Sequence, residues 1–212
     1  MSADAKETAD RFVEPTGSLD EARERILRSA AECFKRFGVA KTTLEDIAGQ
    51  AGISRATLYR TIPGGRDEIV LTVLLTEAGN SLMPIREEIS KLPTFREQLI
   101  EGFAQSIEVA RRDPNLVILF TSESLPSSVR IPGAIDAIST SLAAYIAPLA
   151  ERARRSGELR SDLTDELIGE WMGRVSFTFF ALPDKFSDDP DALRDYVATF
   201  VVPPLLSAVP VA

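Results

Sequence analysis

The sequence predicts an all-α fold of about nine helices, and three observations carry that expectation. Apolar residues recur at helical spacing through nearly every segment. Ser, Thr or Asp precedes most of these stripes, and Gly or Pro closes them. No run alternates apolar and polar residues as a strand does, and no segment repeats.

The first stripe is Leu19, Ala22, Ile26, Ala30, Cys33, Phe34 and Phe37, closed by Gly38 just past the helix end. Thr43 caps the next helix, with Asp46 three residues on as a variant of the capping box. Leu44, Ile47, Ala48 and Ala51 are its buried face, and Gly52 stops it. Ser54 caps a third helix with Leu58 as its inward anchor. Pro63-Gly64-Gly65 breaks the chain, and a long fourth helix begins near Arg66. Thr94 caps a helix that ends near Asp113-Pro114, and a short one follows over Asn115 to Ser122. SLPSSVRIPG reads as a loop. Ala134 to Arg155 is helical and stopped by Gly157, and Thr164 caps a helix running to Ala181. Asp189-Pro190 opens the last helix, which ends before Pro203-Pro204.

Composition bounds what such a chain does. At 44% hydrophobic and 26% charged residues, the balance is that of a globular protein. The absence of histidine excludes imidazole acid–base chemistry, His-containing triads and His metal ligands. Only Ser/Lys, Cys or carboxylate pairs remain for an enzyme, and none has persuasive spacing, so no catalytic site, cofactor or metal is expected. Cys33, the one cysteine, lies on an apolar stripe and reads as a packing thiol. No apolar run has the length of a membrane span. Residues 1–18 are polar and acidic, and are expected to be a disordered leader of a cytoplasmic protein that engages no membrane.

The net charge of −8 argues at first against nucleic acid, but it is unevenly placed. Residues 19–66 hold nine Lys/Arg and six Asp/Glu, whereas residues 67–212 hold thirteen and twenty-two. A mildly basic module precedes an acidic one. The expected division is a DNA-binding domain over 19–79, with its motif at 43–62, and a second domain over 80–212.

The break at Ala51-Gly52-Ile53-Ser54 explains that charge pattern. A helix, a short turn opened by glycine and a second short helix make a helix-turn-helix unit, whose second helix enters the major groove. Leu58 and Ile62 anchor that helix, and Arg55, Thr57, Arg60 and Thr61 supply its polar face. Ala56 permits close approach. The Tyr59 hydroxyl suits a phosphate oxygen, and arginine offers a fork to guanine. Thr43 stands at a helix N-terminus, where N–H groups favour phosphate, with Lys41 just before it.

At these residues the chain resembles the TetR family of transcriptional repressors. The resemblance rests on Gly38, Thr42-Thr43, Asp46-Ile47-Ala48, Ala51-Gly52-Ile53-Ser54 and Thr57-Leu58-Tyr59, within Leu19 to Ala78. It implies that Arg55, Ala56, Tyr59, Arg60 and Thr61 lie on the DNA-facing helix, and that Lys41, Thr42, Thr43 and Tyr59 touch the DNA backbone. It also implies a ligand-binding and dimerisation module downstream. The chain departs from the family at Thr61-Ile62, where His or Tyr and then Phe are usual. Gly64-Gly65-Arg66 adds one residue before the fourth helix, where the family often has a small residue and Lys. Loss of the aromatic is expected to weaken the seat of the recognition helix.

In the second domain Ile168, Trp171, Met172, Val175 and Phe179 form one apolar stripe, and Gly169, Gly173, Ser176, Phe177 and Phe180 form another. The second stripe, with Tyr196 and Phe200 of the last helix, is a candidate homodimer interface, the alternative being an intrachain core. Phe103, Ile107, Leu119, Phe120, Trp171, Met172 and Val175 are candidates to line a pocket for an apolar or amphipathic small molecule, or are simply core. The expected partners are therefore operator DNA, a second copy of the chain and an unidentified ligand, with the fourth helix as the lever between the domains.

Overall fold

A computed structural model describes residues 19–112, 131, 133–181, 186 and 189–207, apart from the side chains at 180 and 181. The leader 1–18, the expected helix 115–122, Leu119 and Phe120, and the Phe180 side chain therefore lie outside the described residues. Eight α-helices are present among the described residues: α1 Leu19–Phe37, α2 Leu44–Ala51, α3 Arg55–Thr61, α4 Gly65–Ile89, α5 Phe95–Arg112, α6 Ala134–Ser156, α7 Asp165–Ala181 and α8 Pro190–Tyr196. Among those residues there is no strand, only an isolated antiparallel bridge between Leu159 and Leu206. The chain divides into two compact units at Thr76/Glu77.

In the first unit α1 packs on α2 and α3, and α2 packs on α3. Ile26, Ala30, Ile47, Leu58 and Ile62 are completely buried. Burying a side chain of the Leu58 or Ile62 type contributes about 1.5–3 kcal/mol. The start of α4 is tied to this unit by two arginines. Arg23 Nη1 donates to Glu68 Oε1 at 2.7 Å, and Arg66 Nη2 donates to the Val39 carbonyl at 2.5 Å.

By length and composition α4 is apolar enough to cross a membrane, which departs from the sequence expectation. Its apolar content has another outlet. Ile69, Val70, Val73 and Leu74 are buried, and Ile85 and Ile89 belong to the core of the second unit. Pro84 sits inside this helix and Pro148 inside α6. Both prolines are exposed.

In the second unit the most extensive packing is α6 on α7. A Cβ on Gly169 would stand 2.3 Å from the Ser139 carbonyl oxygen and 2.8 Å from the Ala143 nitrogen. Gly173 faces the same helix with more room, 3.5 Å from Leu142 and Ser139. Both glycines face α6 of the same chain, the intrachain alternative to a subunit interface, and Gly169 lets α7 approach α6 closely. α5 packs against α6, α7 and α8, with Phe95, Leu99, Phe103 and Ile107 buried.

After α8 the backbone widens into a single π-type turn over Val197–Val201, closed by Val202 N to Val197 O at 3.0 Å. Pro203 follows, and its missing N–H forbids an ordinary continuation. Side chains take two carbonyls of this turn: Arg96 Nη2 donates to Ala198 O at 3.2 Å, and Trp171 Nε1 to Val201 O at 3.1 Å.

The two glycines of α7 generate a paired test. Gly169→Ala forces a backbone clash and should lower the urea midpoint by the equivalent of about 1–3 kcal/mol. Gly173→Ala, in ordinary contact, should cost nothing and gain up to about 1 kcal/mol of helix propensity. Equal effects of the two substitutions would refute the packing described.

Candidate nucleic-acid interface

The site is built from three caps. Thr43, extended at φ −99° and ψ 163°, ends the loop and starts α2. Its Oγ1 accepts from Asp46 N at 3.2 Å, while its own N–H and hydroxyl donate to Asp46 Oδ2 at 2.9 and 2.7 Å. These bonds hold the Asp46 carboxyl below the usual aspartate range. At the other end of α2, Gly52 takes φ 67° and ψ 33°, the left-handed conformation glycine favours. The Ile53 N–H then returns to Ala48 O at 3.0 Å, and the Ile53 side chain is buried. Ser54 caps α3, accepting from Thr57 N at 3.1 Å.

These caps set which residues α3 presents. Leu58 and the capping residue Ile62 point inward and are fully buried, so aliphatic Ile62 occupies the seat where an aromatic was expected. Arg55, Ala56, Tyr59 and Arg60 are exposed along the other side. The Tyr59 ring lies over the chain break: a Cβ on Gly65 would be 3.1 Å from its Cε1, and Gly65 has φ +60°. Gly65 thus gives Tyr59 its bed.

Two threonines depart from their expected exposure. Thr57 is 8% exposed rather than part of the polar face, because Ser54 recruits it: their hydroxyls lie 3.0 Å apart. Thr42 is 2% exposed, and its hydroxyl donates to Gly38 O at 2.8 Å, so it braces the end of α1. Thr61 is half-buried and donates to Thr57 O at 2.9 Å. Ser54 is half-buried as a cap, whereas Thr43 and Lys41 are exposed. Lys41 lines an open depression of about 330 Å³ with Arg36, Phe37 and Asp46.

One exposed group was not foreseen. Glu45, in the first turn of α2, pairs its Oε1 with Arg55 Nη1. Arg55 also lies over the Tyr59 ring at 5.6 Å, with Nη2 3.5 Å from the phenol oxygen. Tyr59 and then Glu45 hold the Arg55 guanidinium above its ordinary pKa. Among the described residues no group of three or more His, Cys, Asp or Glu could hold a metal ion.

The candidates in the second unit are placed as follows. Phe103, Ile107 and Met172 are buried members of its core, with Trp171 and Val175 packed at the edge. Ser176 is half-buried. Phe177 is 36%, Tyr196 39% and Phe200 62% exposed, and the rings of Tyr196 and Phe200 meet at 5.0 Å, tilted by 45°.

Comparison with known proteins agrees with this geometry. The family model of bacterial regulatory proteins of the tetR family matches residues 26–64. The HTH-type transcriptional regulator Rv2250c of Mycobacterium tuberculosis is 31% identical over 140 residues, covering 65% of this chain and 69% of that protein. Among solved structures, the TetR family repressor AlkX from Dietzia, implicated in biodegradation of n-alkanes, is similar with a TM-score of 0.60. Its identity is 22%, over 87% of this chain and 97% of that one. RolR in complex with resorcinol is similar with a TM-score of 0.65 at 14% identity, over 86% and 88% of the two chains. At these identities the two structures bear on the fold alone.

The cap of α2 makes a pH-dependent prediction. Thr43→Ala should cost about 1 kcal/mol at neutral pH. Asp46 has a depressed folded-state pKa, so its contribution is full above the ordinary aspartate value of about 3.9 and fades as pH falls through the depressed one. The gap in thermal midpoint between wild type and Thr43→Ala should therefore narrow on acidification below about pH 4. A gap that widens there would contradict the assignment.

Proposed function

The chain belongs to the TetR family of bacterial transcriptional regulators, and from that premise we propose a homodimeric repressor that an apolar or amphipathic small molecule releases from its operator. The observation that carries the DNA reading is the two-sided character of α3, with Leu58 and Ile62 buried and Arg55, Ala56, Tyr59 and Arg60 exposed. A helix so short keeps a fixed polar face only if its other side is anchored. In this reading Arg55 and Arg60 address base edges, and Ala56 lets the duplex approach. Tyr59, Lys41 and the first N–H groups of α2 address phosphates. Thr43 acts through its cap, since its N–H is already donated to Asp46. Thr42 and Thr57 contribute by bracing, and Thr61 stands at the rim of the contact.

Phe177, Tyr196 and Phe200 support pairing of two copies, because exposed aromatics on consecutive helices are costly to leave in water. Two-fold symmetry also suits paired half-sites about 34 Å apart. For the ligand, Phe103, Ile107 and Met172 are buried in the second unit's core, and a molecule that entered among them would need a hydrophobic body. The Tyr145 hydroxyl is buried without a partner, and burial pushes its pKa up to about 12. An acceptor on a ligand would recover about 1–3 kcal/mol there. AlkX is implicated in n-alkane biodegradation and RolR holds resorcinol as ligand, and both molecules are compatible with this reading. The ligand acts only through unequal affinity for two packings, and about 5.5 kcal/mol moves a population from 99:1 to 1:99. α4, which continues across Thr76/Glu77, is the lever this reading uses.

Three measurements test the proposal. Binding to the DNA upstream of its own gene should weaken with salt, at a logarithmic slope of about −0.9 per neutralised phosphate. Tyr59→Phe should weaken binding to all sequences alike, whereas Arg60→Ala should relax preference at one base by about 1–3 kcal/mol. If neither changes affinity, the groove-facing side of α3 is misassigned. Phe200→Asp should convert a dimer to a monomer in light scattering, and an unchanged mass would remove Phe200 from the interface.

A further inference from the structure

The exposed cluster Glu45–Arg55–Tyr59 is more than a surface ion pair, and resting on the DNA reading above, we propose that Glu45 is a specificity-determining positioning residue. It occupies one edge of the Arg55 guanidinium so that Arg55 reads a base rather than a phosphate.

The residues come from both arms of the motif. Glu45 sits in the first turn of α2, and Arg55 is the first residue of α3. Glu45 Oε1 takes Nη1, and the Tyr59 ring lies beneath the guanidinium at 5.6 Å. Both partners of the ion pair are more than half exposed, at 56% and 60%, so the pair adds little to stability. Its consequence lies in orientation and charge. Arginine has five donors in a rigid fork. With Nη1 held by Glu45 and Nη2 3.5 Å from the Tyr59 hydroxyl, the Nε–H and the second Nη2 proton are the donors left for a planar two-acceptor partner. Guanine O6/N7 in the major groove is such a partner.

Charge pushes the same way. A free arginine gains from any phosphate, because each contact releases counterions whatever the sequence. An arginine already neutralised by a carboxylate gains far less from a phosphate but keeps its directional bonds to a base. Glu45 therefore lowers nonspecific affinity more than specific affinity. The carboxylate need not leave Arg55 when DNA binds.

The experiment uses the full-length protein and two probes: the duplex that wild type enriches from a randomised pool, and a random-sequence duplex of equal length. Glu45→Gln should bind the random duplex more tightly, with a salt slope steeper by about 0.9, one added phosphate contact. The ratio of specific to nonspecific affinity should fall about tenfold, the scale of one bidentate base contact. In the Arg55→Ala background, Glu45→Gln should leave that ratio unchanged. The same increase in both backgrounds would make Glu45 a simple repulsive charge and overturn the proposal, as would an unaltered ratio in the single variant. A wild-type protein that enriches no sequence would instead refute the DNA reading itself. Thermal unfolding of each variant guards against a merely structural effect.

Discussion

The left-handed turn at Gly52 fixes the direction in which α3 leaves α2, and the first unit's surface depends on it. The constraint is one of backbone conformation, not space. A Cβ on Gly52 would meet nothing within 4 Å, yet its φ of 67° costs an ordinary residue about 1–2 kcal/mol. Three bonds then follow within a few residues: Ile53 N–H closes the end of α2, Ser54 caps α3, and Leu58 N–H returns to Ser54 O at 3.0 Å. With Ile53, Leu58 and Ile62 buried in sequence, α3 has no rotational freedom left. The exposure of Arg55, Tyr59 and Arg60 is the remainder of that packing.

The same geometry accounts for how a chain of net charge −8 can present an interface for DNA. The basic excess is small and is confined to the segment that builds α1 to α3. Even there, carboxylates stand at the N-terminus of α2. Asp46 is spent on Thr43, and Glu45 on Arg55. Glu45 thereby offsets part of the charge that Arg55 would offer an arbitrary duplex. A regulator that must discriminate among a great many sites depends on directional contacts more than on net charge.

Much of this architecture was legible because local chemistry decides it. Thr43 with Asp46, Gly52, Ser54, Gly157 and Asp189-Pro190 all mark helix ends where the structure has them, since each satisfies backbone groups within four residues of itself. What was not legible needed a neighbour distant in sequence or a face that few residues define. α3 has seven residues, too few for periodicity alone to say that Thr57 turns inward, and the deciding contact is with its own cap. Gly169 and Gly173 look the same in sequence whether they meet a partner chain or α6. At Gly169 the Ser139 carbonyl, 2.3 Å from a hypothetical Cβ, shows the close approach to α6. Pro84 and Pro148 each stand on an exposed side of a long helix. Glu45 and Arg55 are ten residues apart across a turn, a spacing with no local rule to pair them.

The second unit's packing limits how a ligand could act on it. Gly169 against the Ser139 carbonyl leaves α7 no room to slide along α6. The Arg154–Asp165 pair, at 2.5 Å, closes the connection between the same two helices. A repacking that kept these contacts would carry α6 and α7 together as one body. α5 is fastened elsewhere: Arg194 holds Glu101 at 2.8 Å, and Arg96 holds the Ala198 carbonyl in the π-type turn. That turn is the less regular element, because its hydrogen bonds span five residues and side chains complete them. The α6–α7 pair is thus held by a close backbone approach and an ion pair, whereas the α5–α8 pair is joined by side chains reaching across it.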